Sequence, residues 1–97
     1  MYRPYILNAL QNHRALKPLS AHMPGHKNGS LLPPDILNAW GAEIFSYDVT
    51  ELDGLDDLHR PEGIIAQSQQ QAAAIFHAKE VHYLINGSTC GLHAALL

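Results

Sequence analysis

The chain has 97 residues, of which 46% are hydrophobic and 15% charged, and a formal net charge of −3. That is apolar enough for one small domain and argues against wholesale disorder. Six Lys+Arg against nine Asp+Glu leave no basic footprint for nucleic acid, and no apolar run is long enough to span a bilayer.

The first fourteen residues, MYRPYILNALQNHR, mix polar side chains into their apolar stretch and offer no small-residue cleavage site. They read as no secretory signal. The single cysteine, Cys90, excludes an internal disulfide and fits a reducing, cytoplasmic setting.

Tyr5, Ile6, Ala9, Leu10 and Leu16 recur at helical spacing, which predicts an amphipathic helix over 4–16 with Pro4 in its first turn. Lys17-Pro18 ends it. HMPGHKNGSLLPP (22–34) holds three prolines and two glycines and reads as loop. Pro33-Pro34-Asp35 then starts a short helix carrying Ile36, Leu37, Ala39 and Trp40.

DVTELDGLDDLHRPEG (48–63) holds six of the nine carboxylates. Val49, Leu52, Leu55 and Leu58 recur every three residues and can anchor it as an ordered loop. A long loop of this kind is functional or marks an incomplete domain. IIAQSQQQAAAIFHA (64–78) has no breaker and predicts a helix with Ile65, Ala72, Ile75 and Phe76 on one face. VHYLI (81–85) is a β-prone run. Thr89–Leu97 begins a helix with Leu92, Ala95 and Leu96 inward.

The order is helix, loop, short helix, loop, helix, strand, helix. One strand is no stable sheet, and the last helix runs out on Ala-Ala-Leu-Leu without a glycine cap. Both lead us to expect a chain that stops partway through a larger α/β domain.

Asn86-Gly87 is a hairpin signal, but the residues after it are not β-prone, so strand–turn–helix is the better reading. Gly87 would let a ligand approach the backbone. Ser88 or Thr89 would cap the helix and present a hydroxyl, and the free N–H groups of the first turn favour an anion. No lysine follows in P-loop register.

Other candidates have simpler readings. Cys90 could be activated by the helix dipole, though a buried, inert thiol is the plainer expectation. His22 and His26 have the spacing of a helical zinc pair, but Pro24 and Gly25 lie between them and no third ligand is apparent. Lys27 reads as solvated or anion-facing. Asp56, Asp57, His59 and Glu62 form either an acid/base cluster or a loop that caps a neighbouring helix. His93 reads as a surface histidine.

Four stretches together, HMPGHKNG (22–29), DVTELDGLDDLHRPEG (48–63), AAAIFHAKEV (72–81) and LINGSTCG (84–91), resemble the N-terminal part of the Orn/Lys/Arg decarboxylases. The resemblance implies an α/β fold of the aspartate-aminotransferase type, of which this chain would be an incomplete piece: mostly helices and ordered loops with one or few strands. It implies pyridoxal 5'-phosphate as cofactor, with its phosphate on Gly87, Ser88 and Thr89. It implies a basic amino acid (arginine, lysine or ornithine) as substrate, polyamine-related chemistry, and a homo-oligomer, a dimer or higher.

In that family the Schiff-base lysine, the acid that faces the pyridine nitrogen and the ring-stacking histidine all lie far downstream of the phosphate turn. None of Lys17, Lys27 and Lys79 sits in such a setting, so this chain alone is expected to be inactive, with no catalytic residue and no metal ligand. The alternative expectation is a non-catalytic interaction or dimerisation remnant of such an enzyme. Two positions depart from the family pattern: His77 stands where a glycine is usual, and Ile64 where a proline is common.

Overall fold

The computed structural model describes residues 2–97. Five helices appear in order: α1 (Tyr5–Ala15), α2 (Pro34–Trp40), α3 (Ala42–Phe45), α4 (Ile64–Phe76) and α5 (Gly87–Leu96). Pro4 stands just ahead of α1 rather than inside it. Pro34 opens α2 at a position where its missing N–H costs nothing. Helix α3 was not expected.

The expected strand over 81–85 is absent, and no residue among those described lies in a sheet. The α/β expectation is not shown by this chain, whose regular elements among the described residues are all helices. A β-prone run needs a neighbouring backbone to accept its hydrogen bonds, and no strand among the described residues lies beside this one. Tyr83 is tied to α4 by a 2.6 Å hydroxyl contact with Ser68.

Packing centres on α1 against α4. Ile6, Ala9 and Leu10 turn their sides inward, while Leu16 is exposed. At the start of α1, the Gln71 amide pairs with both backbone groups of Arg3. Its Oε1 accepts from the Arg3 N–H at 2.8 Å, and its Nε2 donates to the Arg3 carbonyl at 2.9 Å. This copies a backbone ladder with one side chain. The acidic loop is anchored as its threefold spacing suggested: Leu55 is buried, and Val49, Leu52 and Leu58 are half-buried.

Two helical faces differ from expectation. On α4, Ala73 is buried and Ile65 and Ala72 are half-buried, but Ile75 and Phe76 face outward. On α5, Leu92 and Leu96 are exposed. Apolar spacing marks a face able to be buried, but another element must arrive to bury it.

The interior is correspondingly thin, with Leu55 and Ala73 as its buried apolar side chains among the described residues. The accessible surface is 7570 Å², against about 5500 Å² for a self-contained chain of this mass. The radius of gyration is 16.0 Å, against about 12.5 Å for a compact domain of this length. Among the described residues, sixteen large hydrophobic side chains, including Trp40, Ile44, Phe76 and Leu92, face solvent. Among the described residues, no helix is long and apolar enough to cross a membrane.

Candidate functional site

The acidic loop is organised around one carboxylate. Asp56 takes a left-handed backbone conformation at φ 71°, which aims its side chain at the start of α4. Its Oδ1 accepts N–H groups from Asp57 and Glu62, each at 3.0 Å. Its Oδ2 accepts from Gly63 at 2.8 Å, Ile65 at 2.9 Å and Ala66 at 3.4 Å. These include donors that α4 leaves without a partner in its own ladder.

The residue directly before α4, Gly63, makes no side-chain cap, so Asp56 supplies one from seven residues upstream. A Cβ on Gly63 would lie 3.3 Å from the Asp56 carboxyl carbon, which leaves a hydrogen as the side chain that fits freely. The Glu62 amide, with those of Asp57, Gly63 and Ile65, holds the Asp56 carboxyl well below the usual carboxylate range, against the opposing effect of desolvation. Of the two readings of this loop, the structure gives Asp56 the capping role.

The remaining members turn elsewhere. Glu62 pairs with Arg60 at 2.9 Å. Asp57 Oδ1 accepts the His59 backbone N–H at 2.8 Å and lies 3.4 Å from its Nδ1. Ligand atoms of Asp57, His59 and Glu51 lie within 4.8 Å of one another. Glu51 was not singled out in the sequence, because its nearness to His59 depends on the loop's turn. A hydrogen bond from Thr50 holds the Glu51 carboxyl below its ordinary range.

The proline-rich loop meets the acidic loop through His26. Its Nδ1 accepts the Gly29 N–H at 3.1 Å, which leaves the proton on Nε2, 3.1 Å from Asp48 Oδ2. The ring packs edge-on to Phe45 at 5.4 Å between centroids. His22 turns to another neighbour, its ring 6.5 Å from that of His13, so the helical spacing of His22 and His26 brings no paired ligands together. The Lys27 ammonium donates to the His22 carbonyl. On the far side, Arg14 joins α1 to α3 by pairing with Glu43, and it also donates to the Tyr47 hydroxyl at 3.0 Å. The Glu43 hydrogen bond raises the Arg14 pKa, and the same bond lowers that of Glu43.

At the opposite end of the chain, Asn86 and Gly87 both have positive φ, at 63° and 75°, and α5 begins at once. The helix starts two residues before Thr89, so Ser88 and Thr89 lie inside its first turn and do not cap it. No side chain caps that turn. A Cβ placed on Gly87 meets nothing within 4 Å, so the backbone there is open to a ligand. Ser88 and Thr89 are exposed. These features suit an anion, because uncapped first-turn N–H groups and a helix dipole favour negative charge. Cys90 is exposed rather than buried, and His93 is exposed as expected.

Comparison with known proteins settles the family. The model of the Orn/Lys/Arg decarboxylase major domain matches residues 4–97. This chain belongs to that family. An uncharacterised Bacillus subtilis (strain 168) protein, YaaO, is 38% identical over 92 residues, which cover 95% of this chain and 19% of YaaO. The arginine decarboxylase of the same organism is 34% identical over 84 residues, or 87% of this chain and 17% of the enzyme. That of Bacillus anthracis is 34% identical over 88 residues, or 91% of this chain and 18% of the enzyme. The chain thus spans under a fifth of the length of these relatives. No solved structure matches it significantly.

Proposed function

We propose that this chain supplies the cofactor-phosphate corner of a pyridoxal-phosphate-dependent decarboxylase of basic amino acids. Gly87, Ser88 and Thr89 would receive the phosphate through backbone N–H groups and the two hydroxyls. The observation that carries this reading is the uncapped first turn of α5, opened by two left-handed residues with free space at Gly87. When bound, the cofactor supplies the electron sink that amino-acid decarboxylation requires. The residues here bind and orient its phosphate, and the 97-residue chain alone releases no carbon dioxide. Relatives bearing the name arginine decarboxylase support a basic amino acid as substrate of the whole protein, with arginine, lysine and ornithine as the choices.

Titration of the ¹⁵N-labelled chain with inorganic phosphate, and separately with pyridoxal phosphate, tests the seat. Both should shift the amides of Gly87 to Cys90, and Gly87→Val should abolish those shifts. Shifts confined to lysines, or phosphate shifts that Gly87→Val leaves intact, would overturn it.

A second reading, a non-catalytic interaction or dimerisation piece, is favoured by one observation, the large exposed apolar surface. Decarboxylation assays of the whole expressed polypeptide with the three amino acids separate the two. Cofactor-dependent release of carbon dioxide favours the enzyme, and its absence from a folded, cofactor-loaded protein favours the interaction piece.

A further inference from the structure

A groove of about 730 Å³ opens between the segment after α1, the proline-rich loop and the helices α2 and α3. Lys17 and Lys27 line it, and no aspartate or glutamate does. This reverses locally the chain's net charge of −3. None of the ion pairs among the described residues uses either lysine. Pro18, Leu19 and Leu37 add apolar wall.

The two cations are held differently. Lys27 is half-buried, and the His22 carbonyl fixes its ammonium, which leaves two of its three donors for a ligand. Lys17 is exposed. Ser20, also in the wall, has a shielded hydroxyl with no hydrogen-bond partner among the described residues. Lys17, Lys27 and Asn28 all line this groove with left-handed backbones, at φ 47°, 51° and 57°. Such conformations are disfavoured for L-residues and gather where a fold holds a ligand.

We propose that this groove binds a small dianion, phosphate or a phosphate monoester, with Lys17 and Lys27 as its cations and Ser20 and Asn28 as neutral donors. Two uncompensated ammonium groups match two negative charges, and lysine serves phosphate as a point charge. An aromatic or alkyl group on the ester would lie against Leu19 and Leu37. The proposal does not depend on the cofactor reading, because it uses none of Gly87, Ser88 or Thr89.

Inorganic phosphate and phenyl phosphate are the ligands to titrate into the ¹⁵N-labelled chain, at about pH 8, where both carry close to two charges. Benzenesulfonate, with one charge on a similar body, is the comparison, and sodium chloride at equal ionic strength is the control. Amide shifts should appear at residues 17–20 and 27–30. Phenyl phosphate should bind about threefold more tightly than benzenesulfonate. Lys17→Gln and Lys27→Gln should each weaken phenyl phosphate about threefold. Lys17 is exposed, so its variant keeps the test sound if Lys27→Gln disturbs the loop. Gly87→Val should leave these shifts intact, which separates this groove from the turn before α5.

The proposal fails if neither phosphate shifts these amides, if sodium chloride reproduces the shifts, or if benzenesulfonate binds as tightly as phenyl phosphate. It fails if Lys17→Gln binds phenyl phosphate as tightly as the parent, or if Gly87→Val abolishes the shifts. It also fails if a polyglutamate peptide shifts these amides and neither phosphate does, which would make the groove a protein-docking surface instead.

Discussion

His77 ends α4 in a left-handed conformation, φ 52° and ψ 35°. The Ala78 N–H reaches back to the Ala73 carbonyl at 2.9 Å, and the His77 N–H to that of Ala74 at 3.4 Å. This is the paired pattern of a Schellman ending, which favours glycine at the left-handed position. An L-residue there costs about 1–2 kcal/mol. Glycine avoids that cost but loses roughly 0.5–1 kcal/mol more backbone entropy on folding. His77→Gly should therefore stabilise the end of α4 by about 0.5–1 kcal/mol, a two- to fivefold gain in opening equilibrium. Hydrogen exchange of the Ala72 to Ala78 amides reads this directly. Gln70→Gly, in the helix interior, is the control and should lose about 1 kcal/mol. If His77→Gly leaves exchange unchanged or speeds it, the left-handed cap is not the strained feature described here.

Two further outcomes follow from the loops. Gly29 has φ 88°, and a Cβ there would lie 3.2 Å from Phe45 Cβ, so Gly29→Ala should cost about 2 kcal/mol in local stability. Gly25 has open space around it, and Gly25→Ala should be neutral or gain up to about 1 kcal/mol. Exchange rates of the amides of residues 26–31 compare the two. For Asp56 the folded carboxyl titrates below its unfolded value. Its contribution is therefore complete above a pH of about 3.9 and is lost as pH falls from there through the folded value. Far-UV circular dichroism from pH 7 downward should show α4 fraying in acid. Asp56→Asn, which points an amide NH₂ at backbone donors, should fray α4 already at neutral pH and flatten its acid dependence.

Much of the local structure was legible in the chain itself. Helical spacing located α1 and α4, Pro33-Pro34-Asp35 located α2, and the threefold leucine spacing of residues 49–58 identified the anchored face of the acidic loop. These signals are local, because propensity, caps and side-chain periodicity act over a few residues. The turn at Asn86-Gly87 was legible for the same reason. The departure at His77 was visible as a histidine in place of an expected glycine, but its cost became physical only with the left-handed φ.

Tertiary structure alone decided the rest. That Asp56 caps α4, that His26 carries its proton toward Asp48, and that Gln71 holds Arg3 all depend on which segments meet in space, and no local spacing encodes those meetings. The β-prone run at 81–85 shows the same limit from the other side. Its residues favour a strand, but a strand exists only where a second backbone accepts its hydrogen bonds, and within these residues none does. The outward-facing leucines of α5 likewise have the spacing of a buried face and no element to bury them.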